Sequence, residues 1–215
     1  MQHAQLCDGQ QCNGAANCDR MNTPTPSPLA WHALASLDEA TFCARLGPVV
    51  EHSPWVAREA WAARPFADWA SLYDSLSRVI HGADEARQLT LLRSHPELAG
   101  QEARAGTMTA DSQSEQGRLR LLALDAATVQ RIESLNQRYR ERFGFPFIAA
   151  LRLHGSLATV LQAGEARLAN DARTERRNAL QQVCEVMRGR LAQTVSPEPS
   201  PPPSPSVNTL AGTPS

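Results

Sequence analysis

Between about Pro28 and Gln193, apolar residues recur at intervals of three and four almost without a break, the period of helices that each bury one face. Val129, Ile132, Leu135, Tyr139 and Phe143 form one such stripe, and Trp69, Leu72, Tyr73, Leu76, Val79 and Ile80 another. The only strand-like run is Phe145 to Leu151, and a short apolar run is equally compatible with a buried helix segment. Proline agrees with this reading. Of 15 prolines, three lie between Pro24 and Pro28 and seven between Pro197 and Pro214, which leaves five for the long middle. The pattern predicts an all-α fold: a single helical bundle domain over 28–194 with a disordered N-terminal extension, 1–27, and a Pro/Ser-rich disordered tail, 195–215.

Helix starts are marked by side chains that can cap free amides. Ser36 and Glu39 have the spacing of a capping box and predict a helix carrying Ala40, Phe42, Cys43 and Leu46. Ser53 before Pro54 predicts another start, with proline at the first helical position. Asp68 is placed to open a helix ending at Gly82, and Asp84 one that stops near Ser94, because Pro96 pushes His95 out of the α region. A loop from Ala99 to Asp111 follows. The stripe from Asp125 ends at Gly144, a residue suited to a left-handed cap, and two more helices fit Ser156–Asn170 and Thr174–Gln193.

Composition excludes several chemistries. All 21 basic residues are arginine, so a lysine Schiff base and a P-loop are ruled out. A net charge of −1 does not supply the basic face that tracks phosphates, so nucleic acid is not expected as a partner. No window approaches the ~18 apolar residues of a membrane span, and we expect no membrane partner. Of five cysteines, Cys7, Cys12 and Cys18 precede the helical region and only Cys43 and Cys184 lie within it, which reads as reduced thiols in a cytoplasmic protein. The first three, with a lone His3, lack metal-ligand spacing, so no metal site is expected.

Three features carry potential chemistry. His95-Pro96 closes a helix, where a histidine also interacts well with the helix dipole. Ser112 and Glu115, within Ser112-Gln113-Ser114-Glu115-Gln116, are three apart and read as a capping box at a helix start, which would also present amides to an anion. Phe143-Gly144-Phe145-Pro146-Phe147-Ile148 reads as core or as a pocket wall.

Together, Leu92-Arg93-Ser94-His95-Pro96-Glu97-Leu98-Ala99-Gly100, Thr109-Ala110-Asp111-Ser112-Gln113-Ser114-Glu115-Gln116 and Tyr139 to Ile148 resemble, in order and spacing, the family of OHCU decarboxylases, OHCU being 2-oxo-4-hydroxy-4-carboxy-5-ureidoimidazoline. Trp61 to Phe66, Arg167 to Asn170 with Glu175, and Arg190-Leu191 also fit, so that the resemblance spans about Leu37 to Leu191. It implies a cofactor-free helical homodimer that acts on a small ureide and gives (S)-allantoin, the last step from urate. By the same resemblance His95, Glu115 and Arg190 are catalytic. Pro96, Ser112, Gln113, Ser114, Glu115, Gln116, Phe147, Ile148, Ala149, Ala150 and Leu151 correspond to the substrate-contacting segments. Two other readings use the same residues: an inert helical interaction module with a partner-recruiting tail, and a hydrolase of ureides or cyclic amides built on a histidine–carboxylate pair.

Overall fold

The computed structural model describes residues 27–100, 108–117 and 124–196. Among them are nine α-helices: α1 Trp31–Leu34, α2 Glu39–Leu46, α3 Trp55–Trp61, α4 Trp69–Gly82, α5 Glu85–Arg93, α6 Ala110–Gly117, α7 Ala126–Phe143, α8 Leu157–Arg167 and α9 Ala172–Thr194. Short 3₁₀ turns occupy Gly47–Val49 and Leu151–Leu153. The all-α expectation holds. The exception is a two-residue parallel pairing of β1 Leu29–Ala30 with β2 Val195–Ser196, so Val195 and Ser196, which the sequence reading assigns to the tail, join the two ends of the domain.

The long α9 is the axis of the bundle. It packs against α4, α5 and α7, and against α2 and the 3₁₀ turn that follows it. Ala179, Leu180, Val183, Cys184, Met187 and Leu191 of α9 are buried, facing Leu72, Leu76 and Ile80 of α4 and Leu91 and Leu92 of α5 in one continuous core. Each of these valines, leucines, isoleucines and methionines stabilises by about 1.5–3 kcal/mol when fully buried rather than exposed, so the three-and-four spacing is itself the principal folding signal.

Aspartates cap as their positions predict. The side chain of Asp68 accepts from Ser71 N, and Ser71 Oγ closes the box on Asp68 N. Asp84, Asp125 and Ser156 accept from Arg87 N, Thr128 N and Thr159 N. Gly144 takes φ 74° and ends α7 in the left-handed region that an L side chain avoids.

Four local expectations need correction. α2 is capped by Asp38, which accepts from Thr41 N, whereas Ser36 Oγ donates back to Ala33 O. Ser53 does not cap α3 with its side chain; the helix begins at Trp55, one residue after Pro54. The Phe145–Leu151 run is neither strand nor α-helix: Phe145 lies in a bend, 146–150 have no regular secondary structure, and Leu151 opens a 3₁₀ turn. Finally, α6 starts at Ala110, so Ser112 and Glu115 lie inside it, and Thr109 Oγ1 accepts from Ser112 N. Much of the expected loop from Ala99 to Asp111 lies outside the described residues.

Candidate active site

Five segments converge on one cleft. The end of α5 brings His95 and Pro96, the turn before α3 brings Glu51, and α6 brings Ser112, Glu115 and Gln116. The irregular run after Phe145 contributes Phe147, Ile148 and Ala149, and α9 contributes Val186 and Arg190. Helix geometry explains the selection. Positions 112, 115 and 116 lie at i, i+3 and i+4 and share one face of α6, as 186 and 190 do on α9.

At the centre is the Arg190 guanidinium. Its Nε donates to Glu115 Oε1 at 2.9 Å and its Nη2 to Glu115 Oε2 at 3.1 Å, a two-point clasp. Nη2 also reaches Glu51 Oε2 and Ser112 Oγ, both at 3.1 Å. Ser112 Oγ donates to Glu51 Oε2 at 2.6 Å, and Thr109 Oγ1 donates to Glu51 Oε1 at 2.6 Å. Arg190 Nη1 has no partner among the described residues, which leaves a donor edge for a ligand.

Burial raises the stakes of this network. The side chains of Arg190 and Glu51 are 5% and 3% exposed, whereas that of Glu115 is 33% exposed. Burial alone would push the Glu51 carboxyl up, but the hydroxyls of Ser112 and Thr109 and the Arg190 charge outweigh it and hold the carboxyl below its ordinary range. Burial likewise works against the Arg190 charge, and Glu115 and Glu51 more than restore it. The centre therefore holds an ionised guanidinium between two carboxylates.

His95 is 8% exposed, and its Nδ1 lies 3.1 Å from Leu91 O. A carbonyl only accepts, so Nδ1 carries the proton and Nε2 keeps the lone pair. Burial pushes the imidazole below its ordinary pKa, against the Leu91 hydrogen bond and the nearby Glu51 charge. Burial thus favours the neutral imidazole, in the tautomer with its proton on Nδ1.

The surrounding shell is braced by polar contacts that bridge distant segments. Gln116 Oε1 accepts from Ala99 N at 2.9 Å and its Nε2 donates to Glu97 O at 3.2 Å, tying α6 to the segment after His95. Glu175, fully buried, accepts from Arg167, Asn170 and Tyr139, and Arg167 Nη1 donates to Ile148 O at 2.9 Å. This second network fixes the cleft wall from behind. Phe147 stands against Tyr139 with ring centroids 5.0 Å apart.

Of the residues singled out from sequence, His95, Pro96, Ser112, Glu115, Gln116, Phe147, Ile148, Ala149, Leu151 and Arg190 line the cleft together. Gln113, Ser114 and Ala150 are not in its lining. Gln113 and Ser114 are exposed on the other side of α6, and Ala150 N donates to Gln182 Oε1. Sequence reasoning missed Glu51, Leu98 and Val186. For Glu51 the available signal was a carboxylate directly after the apolar pair Val49-Val50, a place that favours burial.

The family described as OHCU decarboxylase matches residues 35–192. A 2-oxo-4-hydroxy-4-carboxy-5-ureidoimidazoline decarboxylase of Amia calva is 37% identical over 160 residues, 74% of this chain and 91% of that protein. One from Haloferax volcanii is 38% identical over 162 residues, 75% of this chain and 94% of that protein. Among solved structures, an (S)-allantoin synthase superposes with a TM-score of 0.60 at 27% identity, over 78% of this chain and 54% of that one, so the chain spans about half its length. The match covers every segment that builds the cleft, and on that extent and identity the chain belongs to the OHCU decarboxylase family.

Proposed function

We propose that the cleft is the active site of a carboxy-lyase that converts OHCU to (S)-allantoin and carbon dioxide, the last step from urate to allantoin. One observation carries the reading most directly: a buried histidine of fixed tautomer shares a cleft with an arginine whose charge is already met by two carboxylates.

The substrate holds its own electron sink, because the carbon that loses the carboxylate adjoins a ring C=N bond. As that C–C bond breaks, its electron pair moves towards the ring nitrogen. His95 Nε2 takes the proton of the hydroxyl on the same carbon, which becomes a carbonyl, and the imidazolium returns a proton to the neighbouring carbon that bears the ureido group. Solvent supplies the ring nitrogen with its proton. Delivery from one face sets the (S) configuration.

Glu115, one-third exposed, accepts from ureido N–H groups, and Arg190 offers the free edge of its fork to oxygen on the ring. With carboxylates already around it, the guanidinium does not present a bare charge to the substrate carboxylate. A tight grip there would stabilise the ground state and slow the reaction. Ser112, Gln116, Pro96 and the chain from Phe147 to Leu151 complete the cradle. A cytoplasmic homodimer is part of the same reading, and sedimentation of the purified protein tests the dimer. No helix among the described residues is long and apolar enough to cross a membrane.

The test is circular dichroism of freshly generated OHCU with wild-type protein and with His95→Gln, both checked for folding. (S)-Allantoin should form faster than the spontaneous background, and the variant should lose about 10²- to 10⁴-fold of that rate. Folded wild-type protein that leaves the background unchanged would overturn the reading.

A further inference from the structure

We propose that Glu51 is a positioning residue: it holds Arg190 and Ser112 from behind, so that Glu115 can release the guanidinium and turn to the substrate while Arg190 stays in place. The inference rests on the decarboxylase reading of the cleft.

The two carboxylates on Arg190 are not equivalent. Glu115 meets the guanidinium from the open side and is one-third exposed, so its side chain has room to exchange Arg190 for a ligand's N–H groups. Glu51 is enclosed, and each of its oxygens is already occupied. Oε1 takes the Thr109 hydroxyl, and Oε2 takes the Ser112 hydroxyl and Arg190 Nη2. Any rotation of Glu51 would break hydrogen bonds to two helix-borne groups and one at a helix start.

The carboxylate thus joins three separate parts of the chain: the turn before α3, the start of α6 and the C-terminal half of α9. The turn itself is built to aim it inwards. His52, the next residue and itself exposed, has φ 53°, a left-handed conformation that a non-glycine side chain adopts only at some cost, in a turn closed by Ser53 N donating to Val50 O at 3.0 Å.

When Glu115 leaves, a buried guanidinium without Glu51 would face an apolar wall with only a hydroxyl as partner. Such a charge relocates or follows its carboxylate. With Glu51 present, Nη2 keeps two partners, and the free Nη1 edge keeps its direction. Glu51 touches Arg190 and Ser112, and acts on the reaction through them.

The experiment compares kcat/KM of the full-length wild-type, Glu51→Gln, Glu51→Ala, Arg190→Gln and Glu51→Gln/Arg190→Gln proteins. Enzyme is used at concentrations that raise the slowest variant above the spontaneous rate, and folding is checked by thermal melts. Glutamine keeps the shape, since its carbonyl can face Ser112 and Arg190 while its NH2 group meets Thr109 Oγ1. Its loss should be about tenfold, that of a hydrogen bond to a charged group. Alanine should lose about 100-fold, the effect of a group displaced by about 1 Å. Combined with Arg190→Gln, the glutamine change should cost nothing further, because its route to the reaction is already gone. Folded Glu51 variants with wild-type kinetics would overturn the proposal, and so would losses that multiply in the double variant. If the alanine protein does not fold, the glutamine pair decides alone. Inactive wild-type protein would instead count against the decarboxylase reading.

Discussion

His95 does its proposed work as a neutral base, and its environment sets the pH at which it can. Burial lowers its pKa, so the imidazole stays neutral below the pH at which an exposed histidine is half protonated. The acid limb of kcat/KM should therefore fall below about pH 6.5, the unperturbed histidine value. A pH–rate profile checks this, and a limb at or above that value would contradict the neutral-base role. The same shift enters stability with a definite sign. Below about pH 6.5 the unfolded chain binds a proton that the folded imidazole refuses, so unfolding becomes easier as pH falls towards the folded pKa. Glu51, whose carboxyl is held below its ordinary range, adds a second loss at lower pH, when the carboxylate that Arg190 and the two hydroxyls stabilise is protonated. In urea titrations between about pH 7 and 5.5 the wild-type protein should lose stability relative to His95→Gln as pH drops, since the glutamine carries no such penalty.

At the scale of elements, the cleft wall depends on how α7, α8 and α9 are tied together. Glu175 of α9 receives Arg167 from α8, Tyr139 from α7 and Asn170 from the turn between α8 and α9. Glu175→Ala would leave the Arg167 charge largely buried and uncompensated, and should cost about 3–5 kcal/mol in a chemical melt. It should also weaken turnover, because Arg167 is the donor to Ile148 O in the proposed substrate cradle. Gly164 on α8 shows the same dependence through packing. A Cβ there would stand 2.7 Å from Leu135 Cδ2 and 3.1 Å from the Phe147 ring. Phe147 is backed by Tyr139, so the roughly 1 kcal/mol of helix propensity gained by Gly164→Ala is outweighed by about 1–3 kcal/mol of overpacking. The expected fall in Tm is a few degrees, accompanied by a raised KM as Phe147 moves into the cleft; an unchanged Tm and KM would show that the ring yields freely. These elements were largely legible from sequence, since Asp68, Asp84 and Asp125 cap where a polar residue precedes an apolar stripe. Errors arose where two capping residues compete, as Ser36 and Asp38 do, and where Ser112 has a partner remote in sequence that outbids its own backbone.

On the scale of the whole molecule, remoteness also explains why Glu51 escaped notice. Its partners Ser112 and Arg190 are 61 and 139 residues away, so no local period marks it, whereas His95 and Glu115 stood out within short motifs. The ends of the domain pose a similar problem. Compositional change alone places the C-terminal boundary before Val195, yet Val195 is fully buried and pairs with Leu29, and Arg45 Nη2 donates to Ser27 O at 2.9 Å. Both ends of the domain are therefore fastened at one place on the bundle, beside the last turn of the helix that carries Arg190. A protein trimmed to residues 27–196 retains every contact described and serves as the reference for Tm and OHCU turnover. One trimmed to 31–194 removes Val195 and its pairing with Leu29. Losing the burial of one valine costs about 1.5–3 kcal/mol, which is several degrees in Tm for a domain of this size. Because the loss frays α9 only four to five residues from Arg190, kcat/KM should fall with it. Equal stability and turnover in both trimmed proteins would show that the pairing of the ends does not support the site.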